Sequence, residues 1–119
     1  MTIAEIAGLL DADWLCCREE AQREIHSAFA SDMMSDVLAY VQEDTLLLTG
    51  LVNSQSIRTC EMLDVPCIVF VRGKDPQPDA IEKAIDIGLP ALKTPYTMFE
   101  VCGRLYQAGL RPVNMGEDA

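Results

Sequence analysis

The chain has 119 residues, 50% of them hydrophobic and 24% charged, which fits one globular domain with a core of its own. At this length folding removes roughly 65% of the unfolded chain's surface from water, so neither metals nor disulfides are needed for stability. A formal net charge of −10 repels phosphate backbones and anionic headgroups, which argues against nucleic-acid and membrane-surface partners but leaves room for a small anion at a local cluster of donors.

In chain order, Thr2-Ile3-Ala4-Glu5 has the spacing of a capping box and predicts a short helix to Leu10. Trp14 to Cys17 is a strand candidate, and Arg18 to Arg23 is a charged turn. Ile25 to Ala30 reads as a second strand carrying His26, the one histidine, as a hydrogen-bonded structural residue. Ser31-Asp32 offers N-cap chemistry for a helix from Met33 to Val41. Thr45 to Thr49 is a continuous apolar run, the pattern of a strand buried on both faces, and Gly50 ends it. Asn53 or Ser54 can cap the next helix, whose stripe is Ile57, Cys60 and Leu63; Pro66 stops it.

Cys67 to Val71 is the clearest strand, β-branched and apolar, and Arg72-Gly73-Lys74 follows it. Pro76 and Pro78 form a turn into a helix with Ala80, Ile81, Ala84 and Ile85 on its apolar face. Gly88 fits the left-handed position that ends this helix, and Pro90 prevents continuation. Ala91-Leu92 is a short strand. The last helix starts either from Thr94-Pro95, as N-cap and first helical residue, or from the capping box Thr97-x-x-Glu100, and runs to about Ala108. Residues 1–112 form the expected domain and 113–119 an expected frayed tail. From Ile25 onward strand and helix alternate, which predicts a three-layer α/β/α fold with a mostly parallel central sheet; the first helix and strand can lie outside that parallel core.

No apolar run approaches the ~18 residues of a membrane helix, and the opening segment carries no basic stretch, so neither a span nor a secretory signal is expected. Five cysteines, with no C-x-x-C spacing and one histidine beside them, argue against zinc and for reduced, mostly buried thiols in the cytoplasm. Met33, Met34 and Met62 are expected in the core rather than at an interface.

In open parallel sheets, ligands sit beyond the C-terminal strand ends, near a topological switch point. Four such ends are polar here, and they give the candidate ligand-binding residues: Ser31 and Asp32; Thr49, Gly50 and Asn53; Arg72, Gly73 and Lys74; Thr94 and Thr97. Each leads into a helix whose first amides can hold an anion, and Arg72 with Lys74 adds fixed positive charge to a chain with 9 basic residues. The competing explanation is plain helix capping, since every strand-to-helix turn needs caps and glycines. No catalytic motif is present: Gly73-Lys74-Asp75 lacks the flanking residues of a P-loop, and no G-x-G-x-x-G or G-x-S-x-G occurs. No catalytic residue, metal or cofactor is expected.

The order of Ser31-Asp32-Met33-Met34-Ser35, Asp44 to Gly50, Val65 to Gly73, Pro76 to Asp79 and Thr94 to Thr97 resembles the DRTGG domain over roughly Met1 to Leu110. That module occurs beside paired CBS domains, in some phosphotransacetylases and as a stand-alone protein, and is similar to the N-terminal domain of HPr kinase. The chain departs from the family's signature: Leu51-Val52-Asn53 stands where Asp-Arg is expected after Thr49-Gly50, and Val71-Arg72-Gly73 stands for Thr-Gly-Gly. Only Thr49, Gly50 and Gly73 match positions near that signature. The resemblance implies a three-layer α/β fold and a regulatory or interaction role, with no catalytic residues to carry over. It also implies self-association, and Met98, Phe99, Cys102, Leu105 and Tyr106 span more than one stripe of the last helix, as an interface would. Three readings follow: a regulatory module, acting as a homodimer, that binds a nucleotide or phosphorylated small molecule; a dimeric adaptor for a partner enzyme with an empty pocket; and, weakest, a thiol enzyme using Cys16, Cys60 or Cys102.

Overall fold

The computed structural model describes residues 1–114. Helix α1 (Ile3–Leu9) opens on the expected capping box: Glu5 N donates to Thr2 Oγ1 at 3.1 Å while Thr2 N donates to the Glu5 carboxylate at 2.8 Å. Strand β1 (Asp13–Cys16) follows, and Cys17 at φ 61° turns the chain into a single 3-10 turn over 18–20. Strand and helix then alternate through β2 (Ser27–Ala30), α2 (Met34–Tyr40), β3 (Thr45–Thr49), α3 (Ser54–Leu63), β4 (Ile68–Phe70), α4 (Pro78–Ile87), β5 (Ala91–Lys93), α5 (Met98–Gln107) and β6 (Arg111–Pro112).

The six strands form one sheet in the order β1-β5-β4-β3-β2-β6. Strands β2 to β6 are parallel, whereas β1 runs antiparallel to β5 at one edge. Every residue of β3 and β4 is buried, as their unbroken apolar runs require for strands covered on both faces. Side chains alternate between two cores. Leu46, Leu48, Val69 and Leu92 meet Ile3 and Ile6 of α1 and Val101 and Leu105 of α5. Leu47, Ile68, Phe70 and Ala91 meet Val37 of α2, Ile57 and Cys60 of α3, and Ala80 and Ala84 of α4. The architecture is therefore the expected three-layer α/β/α fold. Each fully buried Leu, Ile or Phe in these layers contributes about 1.5–3 kcal/mol of transfer free energy.

Several sequence expectations give way to packing. Strand β2 begins at Ser27, and His26 is exposed in front of it, 3.5 Å from the Asp44 carboxylate, instead of lying within an apolar strand. Met34 is buried, but Met33 precedes α2 and is 60% exposed, and Met62 is 70% exposed. Two residues beyond Cys60, Met62 is rotated by about 200° from the buried stripe. Ile85 is also largely exposed, because α4 meets the sheet through the small side chains Ala80 and Ala84 and presents its larger ones sideways. Gly88 ends α4 at φ 72°, as its position predicts. At the C-terminal end the chain stays packed past 112: Val113 is buried, and Gln42 Nε2 donates to the Asn114 carbonyl at 2.7 Å. Residues 115–119 of the expected frayed tail lie outside the described residues. Among the described residues no helix is long and apolar enough to cross a membrane.

Candidate functional site

Because β2, β3, β4 and β5 are parallel, their C-terminal ends share one edge of the sheet. Helices α2, α3 and α4 leave that edge toward one face, and α5 leaves toward the other. The divergence between β4 and β5 is the topological switch point, where ligands of open α/β sheets usually enter. Here that crevice is laced by backbone hydrogen bonds. Arg72 N donates to Tyr96 O at 2.7 Å, and Gly73 N donates to Thr94 O at 2.8 Å. Two consecutive left-handed residues, Arg72 at φ 65° and Gly73 at φ 66°, make this possible. Glycine adopts that conformation freely; arginine does so at a cost.

The turn carries the Arg72 guanidinium over the end of β3. A methyl group at Gly50 would lie 2.8 Å from Arg72 Nη2 and 3.4 Å from each carboxylate oxygen of Asp32. Gly50 is thus bare where a cation and a carboxylate converge. Asp32 reaches in from the end of β2, accepting from Gly50 N at 2.6 Å and from Thr49 Oγ1 at 3.1 Å. Thr49 Oγ1 in turn accepts from Leu51 N at 3.1 Å. This corrects the capping role expected of Ser31-Asp32. Met33 is the N-cap residue of α2 and makes no side-chain cap, while Ser31 Oγ accepts from Met33 N at 2.9 Å in a local turn. The carboxylate pairs with a neighbouring strand instead, because the buried Gly50 amide has a stronger claim on an acceptor than an exposed helix end.

The other candidates divide between site and scaffold. Thr94, fully buried, donates to Leu10 O at 2.7 Å and accepts from Tyr96 N at 3.3 Å, tying the end of β5 to the end of α1. Asn53 accepts from Gln55 N as the cap of α3, and Thr97 accepts from Glu100 N as the cap of α5, which selects the second of the two expected helix starts. Glu100 does not complete a capping box; its carboxylate pairs with Arg104 at 2.9 Å. Lys74 is exposed beside Arg72, and among the described residues neither side chain makes a hydrogen bond or ion pair. Asp32, Thr49, Gly50, Arg72 and Gly73 are therefore brought together, whereas Asn53 and Thr97 serve helix ends. Tyr96 was not among the site candidates, yet its carbonyl holds the Arg72 turn, its hydroxyl hydrogen-bonds the Asp11 carboxylate and its ring lies 4.0 Å from the Arg104 guanidinium. The bond to Asp11 pushes the Tyr96 phenol above its ordinary pKa, and the bond to Asp75, 2.6 Å away, does the same for the Lys93 ammonium. Their partners lie 85 and 18 positions away in the chain, beyond the reach of spacing rules.

A cavity of about 550 Å³ lies at the opposite edge of the sheet, between the C-terminal ends of α3 and α4, with Arg23, Glu61, Asp64 and Asp86 in its wall. None of the strand-end candidates lines it. Burial pushes the Cys60 thiol up to about 12, and burial together with the neighbouring Cys17 does the same for Cys16. Cys67 and Cys102 are also raised by burial. Such thiols stay protonated at neutral pH and are poor nucleophiles.

The fold and this edge define a small α/β module with a polar, positively tipped strand-end cluster. A family model for the DRTGG domain matches residues 5–108, so the chain belongs to the DRTGG domain family. No curated protein sequence matches it. Among solved structures it is similar to the CBS and DRTGG domains of the regulatory region of a Clostridium perfringens pyrophosphatase, crystallised with the activator diadenosine tetraphosphate. The TM-score is 0.70 at 13% identity, over 96% of this chain and 51% of that one. The chain thus spans about half the length of the solved chain it matches, and the likeness is one of fold.

Proposed function

We propose that this chain is a non-catalytic regulatory module that senses a nucleotide or other small phosphorylated anion at the C-terminal ends of its parallel strands. It would act in the cytoplasm beside a partner enzyme. The observation that carries the reading is the Arg72 guanidinium. It is held over Gly50 by a left-handed turn and has no hydrogen-bond or ion-pair partner among the described residues. A backbone conformation disfavoured for arginine is maintained where the side chain makes no hydrogen bond or ion pair, and exposed Lys74 adds a second cation. Support also comes from the similar pyrophosphatase regulatory region, which is described as complexed with a nucleotide activator.

The test is thermal unfolding against adenine nucleotides, other phosphorylated metabolites and inorganic phosphate at millimolar concentration. A ligand at about 100 times its dissociation constant stabilises the fold by ~2.7 kcal/mol, on the order of ten degrees here. The Arg72→Ala/Lys74→Ala double variant should fold and lose that shift. An undiminished shift in the double variant rejects the site. A panel with no shift at all favours the second reading, a dimeric adaptor without a small-molecule ligand, which draws support from Leu51-Val52-Asn53 standing where the family's Asp-Arg is expected.

A further inference from the structure

At the strand-end edge the main chain has little left to offer a ligand. Gly50 N is spent on Asp32 Oδ1 and Leu51 N on Thr49 Oγ1. In the turn after β4, residues 72, 73 and 74 each donate their amide to a main-chain carbonyl. An anion cradled by free amides, the usual arrangement at such an edge, is therefore not available at either turn. What remains is carried by side chains, and it is of two kinds. Arg72 and Lys74 supply donors and positive charge. Asp32 supplies an acceptor: Oδ1 takes both the Gly50 amide and the Thr49 hydroxyl, whereas Oδ2 has no partner among the described residues. The two kinds converge on Gly50. The point where a side chain would begin there is 2.8 Å from Arg72 Nη2 and 3.4 Å from either Asp32 oxygen, yet the guanidinium and the carboxylate are not paired with each other.

Building on the anion site of the preceding subsection, on which this assignment rests, we propose that the ligand is a phosphorylated ribose, as in a ribonucleotide. Its phosphate meets Arg72 and Lys74, and one sugar hydroxyl lies over Gly50 and donates to Asp32 Oδ2. A hydroxyl suits that place because it both accepts and donates, so it can take a bond from the guanidinium and give one to the carboxylate. A phosphate group there would bring negative charge against Asp32 and be repelled. The carboxylate thus selects against inorganic phosphate and pyrophosphate, which would otherwise compete for the same two cations. Gly50 has to be bare, because a side chain would fill the space the hydroxyl needs. A ribose phosphate carries its hydroxyls and its phosphate only a few bonds apart, which matches the closeness of Asp32 to Arg72.

Calorimetric titration of the full chain tests it, with ADP, its 2′-deoxy and 3′-deoxy analogues, ribose 5-phosphate and inorganic pyrophosphate as probes, and Asp32→Asn and Gly50→Ala as variants. Asparagine keeps a carbonyl oxygen for the Gly50 amide and the Thr49 hydroxyl and puts an NH₂ group in place of Oδ2. Alanine at position 50 need only displace the far end of the Arg72 side chain. Both variants should therefore fold, with unchanged far-UV circular dichroism. The wild-type chain is expected to bind ADP ~10-fold or more tightly than pyrophosphate and than one of the deoxy analogues. Asp32→Asn should weaken ADP, strengthen pyrophosphate and erase the preference for the hydroxyl. Gly50→Ala should weaken ADP by ~10-fold or more. Ribose 5-phosphate binding as tightly as ADP supports a sugar phosphate as the source of this chemistry, and weaker binding supports a nucleotide. Equal affinity for ADP, both deoxy analogues and pyrophosphate overturns the hydroxyl assignment and leaves the anion site standing, as does an unchanged preference in Asp32→Asn. Binding of none of the probes removes the anion site and this assignment together.

Discussion

Arg72 separates what the fold needs from what a ligand would need. Its backbone is held at φ 65° by the bond from its amide to Tyr96 O, and no side-chain interaction among the described residues supports that conformation. The left-handed region costs an L-residue about 1–2 kcal/mol, and a glycine placed there returns about 0.4–1 kcal/mol of that through its freer unfolded chain. Arg72→Gly should therefore raise stability by ~0.5–1 kcal/mol, seen as a small increase in the denaturation midpoint, while removing any nucleotide-dependent shift. A loss of more than ~1 kcal/mol would mean that the guanidinium is structural and would undercut the ligand reading. The position was legible from sequence as a cation after a strand. Its geometry was not, because nothing local distinguishes Arg72-Gly73 in consecutive left-handed conformations from an ordinary turn. Asp32 illustrates the same limit: local preference assigns it to a helix cap, and an acceptor-hungry amide 18 residues away claims it.

Elements whose identity depends on near neighbours were read well from the chain. The capping box at Thr2, the doubly buried β3 and the glycine stop at Gly88 are all set within a few residues, whereas two competing starts were open for α5 and packing selected Thr97. Faces and junctions were harder, since the exposure of Ile85 depends on how closely α4 approaches the sheet, and the antiparallel placement of β1 on β5 depends on a partner about 80 residues on. Thr94 marks one such junction. Its buried hydroxyl donates to the carbonyl that ends α1 and accepts from Tyr96 N, so it joins the outer helix to the loop that holds the Arg72 turn. Thr94→Val keeps the shape and leaves the Leu10 carbonyl and the Tyr96 amide without that partner, at a cost of about 1–3 kcal/mol. Thermal denaturation should show a loss of roughly 5–10 °C. A change below ~1 °C would mean that the Thr94 hydroxyl is not needed to hold the end of α1.

At the scale of the whole molecule the dominant feature is charge. Nineteen acidic residues face nine basic ones, and among the described residues the ion pairs engage Glu24, Asp44, Glu61, Asp75 and Glu100, leaving most carboxylates without a close cation. Folding confines these charges to a body 41 × 28 × 24 Å. The Debye length is ~30 Å at 0.01 M salt, so charges then interact across the whole molecule, and ~8 Å at 0.15 M, where only neighbours do. Salt therefore relieves repulsion in the folded state more than in the expanded unfolded chain, where the charges are already far apart. It also weakens the exposed ion pairs, but each of those contributes only ~0–1 kcal/mol. Repulsion should win. The Tm should rise by a few degrees between 0.01 and 0.15 M sodium chloride. A Tm that falls with salt would mean that the few ion pairs, Lys93 with Asp75 foremost, outweigh the net charge.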